Sequence, residues 1–165
     1  MHLLSLLLAA ALMLPTCAAP AGARSFSGVV THVGDGDSLW VRPASGGPPQ
    51  AVRLQGIDAP EICQPHGERS REALAGRVLH QQVTLATSGR DDYDRLLARV
   101  QLRGEDVGGW LVARGHAWSF RRRGDAGPYA AQQAQARRAR HGLWAQPGAI
   151  EPRLFRQQSG CRRRE

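Results

Sequence analysis

The chain reads Val33-Gly34-Asp35-Gly36-Asp37-Ser38-Leu39-Trp40 and, after a loop, Val52-Arg53-Leu54-Gln55-Gly56-Ile57-Asp58-Ala59-Pro60-Glu61. These two segments hold four carboxylates and one arginine: Asp35, Asp37, Arg53, Asp58 and Glu61. Carboxylates that lie close together repel one another at protein-like dielectric, so a cluster of them requires a cation. A hard divalent metal, an arginine or both would supply that charge. Acids combined with an arginine are typical of sites that act on phosphodiesters.

Alternating apolar side chains predict that the first segment joins two β-strands, over residues 27–33 and 38–42. In the turn between them, Gly34 and Gly36 are expected to supply the positive φ angles of a tight hairpin. Aspartate is itself a favoured turn residue. A purely conformational role for Asp35 and Asp37 is therefore the alternative to a chemical one.

A third strand is predicted over residues 51–57, with Val52 and Leu54 facing inward and Arg53 facing the other side. Pro60 follows this strand, lacks a backbone donor and holds Ala59 in an extended conformation. The carbonyl of Ala59 can then project toward a ligand.

The rest of the chain changes between helical and extended patterns. Helical spacing and glycine stops predict α-helices over residues 67–81, 106–114 and 129–141, and alternation predicts strands over 82–87 and 96–102. Leu143 and Trp144 are expected to pack back on the body, and no fold is assigned from Ile150 onward. Five short strands with hairpin signals and no βαβ periodicity predict an α+β protein, a five-stranded OB-fold β-barrel with three α-helices.

The N-terminus has the pattern of an export signal. With 165 residues, the chain allows one globular domain and little more. Its apolar run over residues 3–14 is too short to span a bilayer, and Ala21-Gly22-Ala23 resembles a signal peptidase site. We expect a signal peptide over 1–23, a domain over 24–149 and a basic tail over 150–165. The mature protein would be periplasmic or secreted, without a membrane span; lipoprotein anchoring at Cys17 is the alternative.

Removal of that signal would leave two cysteines, Cys63 and Cys161. In an oxidising compartment, two cysteines in a small domain are most simply a disulfide. The disulfide would tie the loop after Glu61 to the C-terminal tail. The alternatives are a reactive thiol at Cys63 and a zinc site with His66, but neither a thiol-activating pair nor a second Cys/His pair accompanies them.

The composition is strongly basic, with 22 Lys+Arg against 14 Asp+Glu and a formal net charge of +8. Every one of these basic side chains is arginine, which makes bidentate and permanently charged contacts to phosphate. A pI near 11.0 in an exported protein points to a polyanionic partner, either nucleic acid or an anionic cell surface.

Five segments, taken in order, resemble one known family, the staphylococcal nuclease (thermonuclease) type of domain. The resemblance covers about residues 27–144. Its segments are Asp35-Gly36-Asp37-Ser38, residues 52–61, Asp92-Tyr93-Asp94-Arg95, Leu111-Val112-Ala113-Arg114-Gly115-His116-Ala117 and Gly142-Leu143-Trp144. Each segment is weak by itself, whereas all five at these spacings are a specific signal.

The resemblance implies an OB-fold barrel with three helices that hydrolyses DNA and RNA with Ca²⁺. It assigns Asp37 and Asp58 as metal-ligating carboxylates and the Ala59 carbonyl as a backbone ligand, with Asp35 just outside them. Hard oxygen ligands of this kind suit calcium. The expected partners are DNA and RNA, and we expect the protein to be a monomer.

The same resemblance assigns Glu61 as the general base or as the group that positions the attacking water. It implies that Arg53 and Arg95 hold the scissile phosphate and that Tyr93 donates a hydrogen bond to a neighbouring phosphate. A metal and two arginines would neutralise the negative charge that develops on the phosphate oxygens. In the simpler alternative, Arg53 is a surface side chain and Arg95 pairs with one of its neighbouring aspartates.

Two departures from the family pattern bear on substrate binding. Asp94 stands where the founding member has glycine, and an acid beside Arg95 would lower or tune its affinity for phosphate. The base-stacking tyrosines of that member have no secure counterpart. Trp118 or Phe120, next to the basic run over residues 121–123, is a candidate for stacking on a base. The alternative for Trp118 is a place in the core.

The sequence therefore predicts an exported, Ca²⁺-dependent nuclease without strong sequence specificity. The main alternative is a catalytically inactive nucleic-acid-binding OB-fold module, which would have little reason to keep all five catalytic positions. A third is a surface protein that binds anionic envelope polymers; it would depend neither on calcium nor on Asp37 and Asp58.

Overall fold

The computed structural model describes residues 24–120, 125–158 and 161. The predicted signal peptide and the basic runs over residues 121–123 and 162–164 lie outside these ranges. Within them, no helix combines the length and apolar character that crossing a bilayer requires.

Five strands form a closed barrel. They are β1 (Arg24–Val33), β2 (Ser38–Pro43), β3 (Gln50–Leu54), β5 (Gln82–Arg90) and β6 (Leu96–Leu102). β2, β1, β5 and β6 are neighbours in an antiparallel sheet that starts with β3, and a parallel pairing of β3 with β6 closes it. Closure removes the exposed edges that an open sheet would present. This is the predicted OB-type α+β barrel.

Three short strands complete the sheet structure. β4 (Ile57–Asp58) pairs with β8 (Trp118–Ser119), and β7 (Glu105–Asp106) extends the barrel beside β6. The prediction of one continuous strand over residues 51–57 was wrong, because a turn at Gly56 separates β3 from β4. The φ angle of Gly56 is 84°, a conformation that glycine adopts without steric cost.

The barrel interior is apolar and follows the predicted alternation. Val52 and Leu54 of β3 are buried, whereas Arg53 between them is half-buried on the opposite face. Leu39 and Val41 of β2 are also fully buried. An inward face of β-branched and leucine side chains supplies the main driving force for closing the barrel, and it leaves Arg53 on the outside for other contacts.

The helices pack around the barrel. They are α1 (Gly67–Val78), α2 (Val107–Ala113), α3 (Ala130–Arg138) and α4 (Pro152–Gln158), with a 3₁₀ turn at Gly142–Trp144. α1 ends earlier than predicted because Leu79 is extended and His80 has a φ angle of 61°. The prediction of three helices was wrong by one, since α4 lies in the tail to which no fold was assigned.

α4 is formed in tertiary context. Seven residues are too few for a stable isolated helix, so the sequence pattern carries little signal there. Pro152 begins the helix, where its missing N–H costs nothing, and it is buried against the body. A proline at this position is the local sequence feature that favours a helix start in the tail.

The hairpin turn between β1 and β2 differs from the prediction. Neither Gly34 nor Gly36 has a positive φ angle. Gly36 is instead required by close packing: a Cβ atom there would lie 2.7 Å from the Cβ of Ala59 and closer still to the hydroxyl of Ser70. The absence of a side chain lets this turn approach the segment that follows β4.

Candidate active site

One cleft of about 400 Å³ gathers the predicted site residues. It is lined by Asp35, Asp37, Arg53, Asp58, Ala59, Pro60, Glu61, Tyr93, Arg95 and Arg156. The structure therefore brings together every residue assigned to metal, phosphate or water in the sequence analysis. It adds Arg156, which the sequence analysis did not single out.

Strand register explains this convergence. Ser38 at the start of β2 is paired with Arg53 of β3, so the acidic turn before β2 lies beside Arg53. β3 runs parallel to β6, with Val52 opposite Leu96, so Arg95 directly before β6 reaches the same end of the barrel. Two segments that are about forty residues apart in the chain thus place their arginines side by side.

Asp37 is fixed by contacts on both carboxylate oxygens. Its Oδ2 accepts a hydrogen bond of 2.7 Å from the backbone N–H of Ala59, and its Oδ1 accepts one of 3.3 Å from the hydroxyl of Ser38. Asp35 shapes the turn from outside, because its Oδ1 accepts a hydrogen bond of 3.0 Å from the backbone N–H of Asp37. Asp35 thus has the conformational role that the sequence analysis left open.

Arg53 bridges the two buried aspartates. Its Nη2 donates to Oδ1 of Asp58 at 3.1 Å, and its Nη1 forms an ion pair with Oδ2 of Asp37. Nη1 is buried and makes no hydrogen bond within the described residues, because the contact with Asp37 lacks hydrogen-bond geometry. Arg53 is thus directed into the acid cluster and is not a free surface side chain. One of its donors remains available for an oxygen ligand.

Burial dominates the electrostatics of the two aspartates. It raises the pKa of Asp37 to about 7, against the opposing effect of Arg53, and the neighbouring Asp35 and Asp58 add to the rise. Burial also raises the pKa of Asp58, while Arg53 and Arg156 oppose it. Carboxylates with raised pKa values lack compensating positive charge, which is the condition for binding an additional cation.

Arg95 is held by Asp91. Its Nε donates to Oδ2 of Asp91 at 2.8 Å, and its Nη1 donates to the hydroxyl of Ser38 at 3.0 Å. Burial acts to raise the pKa of Asp91, but hydrogen bonds from the side chain and backbone of Arg95 lower it below its ordinary value. The guanidinium also lies over the ring of Tyr93, 5.4 Å from its centroid. Of the neighbouring aspartates, Asp91 is the partner.

Asp94 is directed away from Arg95. Its φ angle is 61°, and its exposed carboxylate lies 3.2 Å from Nη1 of Arg90. The expectation that Asp94 acts directly on the phosphate-binding arginine is therefore wrong for the structure described, in which the left-handed turn rotates the side chain outward.

Glu61 is paired with an arginine of α4. Its Oε1 accepts a hydrogen bond of 2.5 Å from Nη1 of Arg156, whose Nη2 lies 3.5 Å from Oδ2 of Asp58. The predicted pairing of Cys63 with Cys161 indicated that the tail returns to this loop, since Arg156 lies five residues before Cys161. That relation was the one sequence signal for Arg156.

The structure contains a disulfide between Cys63 and Cys161, whose Cα atoms are 5.7 Å apart. It joins the loop after Glu61 to the tail beyond α4. His66 does not act as a third member of a cysteine site; its Nε2 is 3.1 Å from Nδ1 of His116, within hydrogen-bonding distance.

Comparison with known proteins agrees with this geometry. Residues 51–146 match the family described as "Staphylococcal nuclease homologue". The chain belongs to the staphylococcal nuclease family. The matched range begins in β3 and ends after the 3₁₀ turn, so it contains Arg53, Asp58, Glu61 and Arg95.

Several curated members of the staphylococcal nuclease family are similar over most of their length. "Protein ParB" of Escherichia coli is 38% identical over 168 residues, which cover 95% of this chain and 93% of that protein. "Micrococcal nuclease" of Shigella flexneri is 35% identical over 81% of this chain and 82% of its own length. An "Uncharacterized endonuclease" of Haemophilus influenzae is 35% identical over 78% of this chain and 72% of its own length.

The cleft of this staphylococcal nuclease homologue offers oxygen donors for a hard cation. Asp37, Asp58 and the Ala59 carbonyl provide no nitrogen or sulfur ligand, a set that suits Ca²⁺ and leaves room for water. In the part of the chain that the structure describes, no three His, Cys, Asp or Glu side chains form a ready-made metal cluster. Two carboxylates with a carbonyl are compatible with that finding. The raised pKa of Asp37 shows that this donor set is short of positive charge.

The aromatic candidates for base stacking separate clearly. Trp118 is 3% exposed and packs edge-on against Trp144, so it has the core role that the sequence analysis gave as the alternative. Phe120 is 46% exposed and Tyr93 is 82% exposed. Of these, Tyr93 lines the cleft of this family member.

Proposed function

We propose that the protein is an exported, Ca²⁺-dependent nuclease that hydrolyses phosphodiester bonds of DNA and RNA without strong sequence specificity. One observation carries the proposal: Asp37, Asp58, Arg53 and Arg95, from separate segments, line a single cleft together with Glu61. Acids that require a cation, arginines suited to a phosphate and an additional carboxylate are the groups that phosphodiester hydrolysis needs.

Asp37, Asp58 and the carbonyl of Ala59 would hold the calcium ion. When bound, Ca²⁺ would supply positive charge that polarises a phosphate oxygen and stabilises charge developing there. The turn that carries Asp37 is held in place by Asp35 and by the N–H of Ala59, so the donors are arranged before a ligand arrives. Such preorganisation lowers the cost of binding.

Arg53 and Arg95 would bind the phosphate that is cleaved. Arg53 has a buried Nη1 without a hydrogen bond in the described residues, and Arg95 is oriented by Asp91 and Ser38. Planar guanidinium groups in fixed positions match the oxygens of a phosphodiester. Tyr93, exposed and stacked on Arg95, would donate its hydroxyl to a neighbouring phosphate.

Glu61 would act as the general base or orient the attacking water. Its carboxylate lines the cleft and lies three residues beyond Asp58, close to the proposed ion but outside its ligand set. A carboxylate at hydrogen-bond reach of a water accepts a proton as the water attacks phosphorus.

The relatives support the reaction class, since two of them are named as an endonuclease and a micrococcal nuclease. The formal charge of +8 favours a polyanionic substrate and adds no sequence specificity, because phosphate contacts carry none. Export rests on the signal pattern over residues 1–23, and a monomer is proposed with it.

The test is a digestion assay with the purified mature protein. Single-stranded DNA and RNA are incubated with a calcium titration at mildly alkaline pH, and product ends are mapped. Cleavage that rises with Ca²⁺ and stops on adding a chelator is the expected result. Absence of cleavage by a folded protein, shown by circular dichroism, contradicts the proposal. Tight binding without cleavage would identify an inactive nucleic-acid-binding module instead.

A further inference from the structure

The C-terminal tail meets the loop that carries Glu61 at three places. We call residues 61–64 the Glu61 loop. Within it, Cys63 is bonded to Cys161, and the side-chain Nε2 of Gln64 donates to the carbonyl of Ile150 at 2.7 Å. Nη1 of Arg156 donates to Oε1 of Glu61 at 2.5 Å. A disulfide, an amide and an ion pair thus connect four consecutive residues to one segment more than eighty residues away.

Gln64 transmits this attachment to the backbone of Glu61. Its side chain is 5% exposed, and its Oε1 accepts a hydrogen bond of 3.1 Å from the backbone N–H of Glu61. The same amide donates to Ile150, so both ends of a buried polar group are satisfied. Breaking either contact would leave a buried donor or acceptor unpaired, which opposes movement of the loop.

Arg156 fixes the side chain of Glu61. It contacts Oε1, while Oε2 of Glu61 makes no hydrogen bond or ion pair among the residues described. The second guanidinium nitrogen reaches toward Oδ2 of Asp58 at 3.5 Å, so one planar group spans the two carboxylates. This arrangement restrains the rotation of Glu61 and leaves one of its oxygens available.

We infer that Arg156 is a positioning residue for the proposed reaction: it holds Glu61 by one carboxylate oxygen and thereby orients the other toward the attacking water. The inference rests on the proposed function and deepens it. Arg156 touches carboxylates of the protein, so it acts through Glu61 and is not itself the base.

The distances favour positioning over blockage of the cation site. The contact of Arg156 with Glu61 is 2.5 Å, whereas that with Asp58 is 3.5 Å. Glu61 is outside the proposed ligand set. A cation that takes Oδ2 of Asp58 would therefore displace the weaker contact and leave the stronger one intact.

The first experiment compares Arg156→Gln and Arg156→Lys with a control on the same helix, Arg153→Gln. Arg153 is exposed and has no ion-pair partner within the described residues. With saturating Ca²⁺, Arg156→Gln is expected to lower kcat by about 10- to 100-fold and to change KM by less than about threefold, as expected for misplacement of a reacting group. Arg156→Lys recovers part of kcat, and Arg153→Gln matches wild type.

The second experiment repeats Arg156→Gln in a Glu61→Gln background. If Arg156 acts through Glu61, its loss changes the residual kcat of that background by less than about threefold, whereas a merely structural role lowers kcat equally in both backgrounds. Circular dichroism and thermal unfolding confirm that each variant is folded, and calorimetric Ca²⁺ titration gives the affinity of each.

Several results would overturn the inference. They are equal losses in both backgrounds, a rise in KM at unchanged kcat, an unchanged Arg156→Gln variant, or a variant that binds Ca²⁺ more tightly and cleaves faster. The wild-type control separates this failure from that of the proposed function: a wild type that cleaves DNA with calcium beside an unaltered Arg156→Gln variant rejects the inference alone, whereas a wild type that does not cleave rejects the proposed function.

Discussion

Asp37 accepts a hydrogen bond of 2.7 Å from the backbone N–H of Ala59, which lies 22 residues further along the chain. This bond joins the turn before β2 to the segment after β4. Gly36 permits the approach, because a side chain there would collide with Ala59 and Ser70. The bond therefore fixes two of the proposed calcium ligands relative to each other, and it buries a carboxylate whose ionisation is costly.

That cost predicts how Asp37 affects stability in the absence of a divalent cation. The native pKa is raised from 3.8 to about 7, so the native state retains a proton that the unfolded state releases between those values. The stabilisation is complete below the unfolded pKa and is lost as pH rises through about 7. At about 1.4 kcal/mol per pKa unit, its upper limit is about 4 kcal/mol.

The measurement is urea unfolding with a chelator present, between about pH 5 and pH 8. Asp37→Asn stays neutral throughout and lacks this contribution, so the free energy of unfolding of wild type minus that of the variant should fall as pH rises. A difference that is independent of pH would contradict the assignment. Asp35→Asn, for the acid outside the buried pair, is the control.

Replacement of Glu61 by glutamine should separate binding from turnover. The amide keeps the shape of the side chain but cannot accept the proton, so kcat should fall by about 10²- to 10⁴-fold. Substrate and Ca²⁺ affinities, measured by fluorescence anisotropy and calorimetry, should stay close to wild type. Unchanged kcat would remove Glu61 from the mechanism.

Two neighbouring aspartates provide a matched pair of variants around Arg95. Asp91→Asn weakens the charged hydrogen bonds to Arg95, and loss of one such contact should lower kcat/KM by about tenfold. Asp94→Asn should change little, because Asp94 pairs with Arg90. Equal effects of the two substitutions on cleavage kinetics would show that Asp91 does not orient Arg95.

Much of this site was predictable because it is built from local patterns. Alternation places Val52 and Leu54 inside and Arg53 outside, and motif spacing marks Asp37, Asp58 and Glu61 as a group. A closed barrel then leaves few ways to arrange their turns, so the resemblance to a known family was sufficient to predict the cleft.

What escaped prediction depends on exact backbone angles and on distant contacts. The choice of Asp91 over Asp94 follows from the left-handed φ angle of Asp94, which no spacing reveals. α4 is too short to be stable alone, and Arg156 reaches Glu61 from 95 residues away. The pairing of Cys63 with Cys161 contained the relevant hint, but it located the tail without identifying the side chain that enters the cleft.

The disulfide predicts a large effect on stability. Cys63 and Cys161 are 98 residues apart, and closing so long a loop contributes up to about 4–5 kcal/mol in the chain-entropy model. Replacing both cysteines by serine should lower the free energy of unfolding accordingly. A reducing agent should destabilise the wild type and leave the serine variant unchanged. Two free thiols by non-reducing mass spectrometry of the exported protein would contradict the bond.

His116 should oppose Asp37 in the dependence of stability on pH. Burial lowers the pKa of His116 from 6.5 to about 4, and His66 and Arg114 contribute to the lowering. His66 lies 3.1 Å away, ring nitrogen to ring nitrogen, and its own pKa is lowered by burial and by Arg69. The unfolded state therefore binds protons that native His116 does not, and its stabilisation is lost as pH falls from about 6.5 toward 4.

The two groups thus act with opposite sign over nearly the same range, so the wild-type curve of unfolding free energy against pH should be flatter than that of either variant. His116→Asn leaves the contribution of Asp37, and its stability relative to wild type should rise on acidification. Asp37→Asn leaves the contribution of His116, and its relative stability should fall on acidification. Unfolding in urea at several pH values, with a chelator present, measures both differences in one series. Two variants whose differences from wild type change in the same direction would show that at least one of these side chains titrates otherwise than its surroundings require.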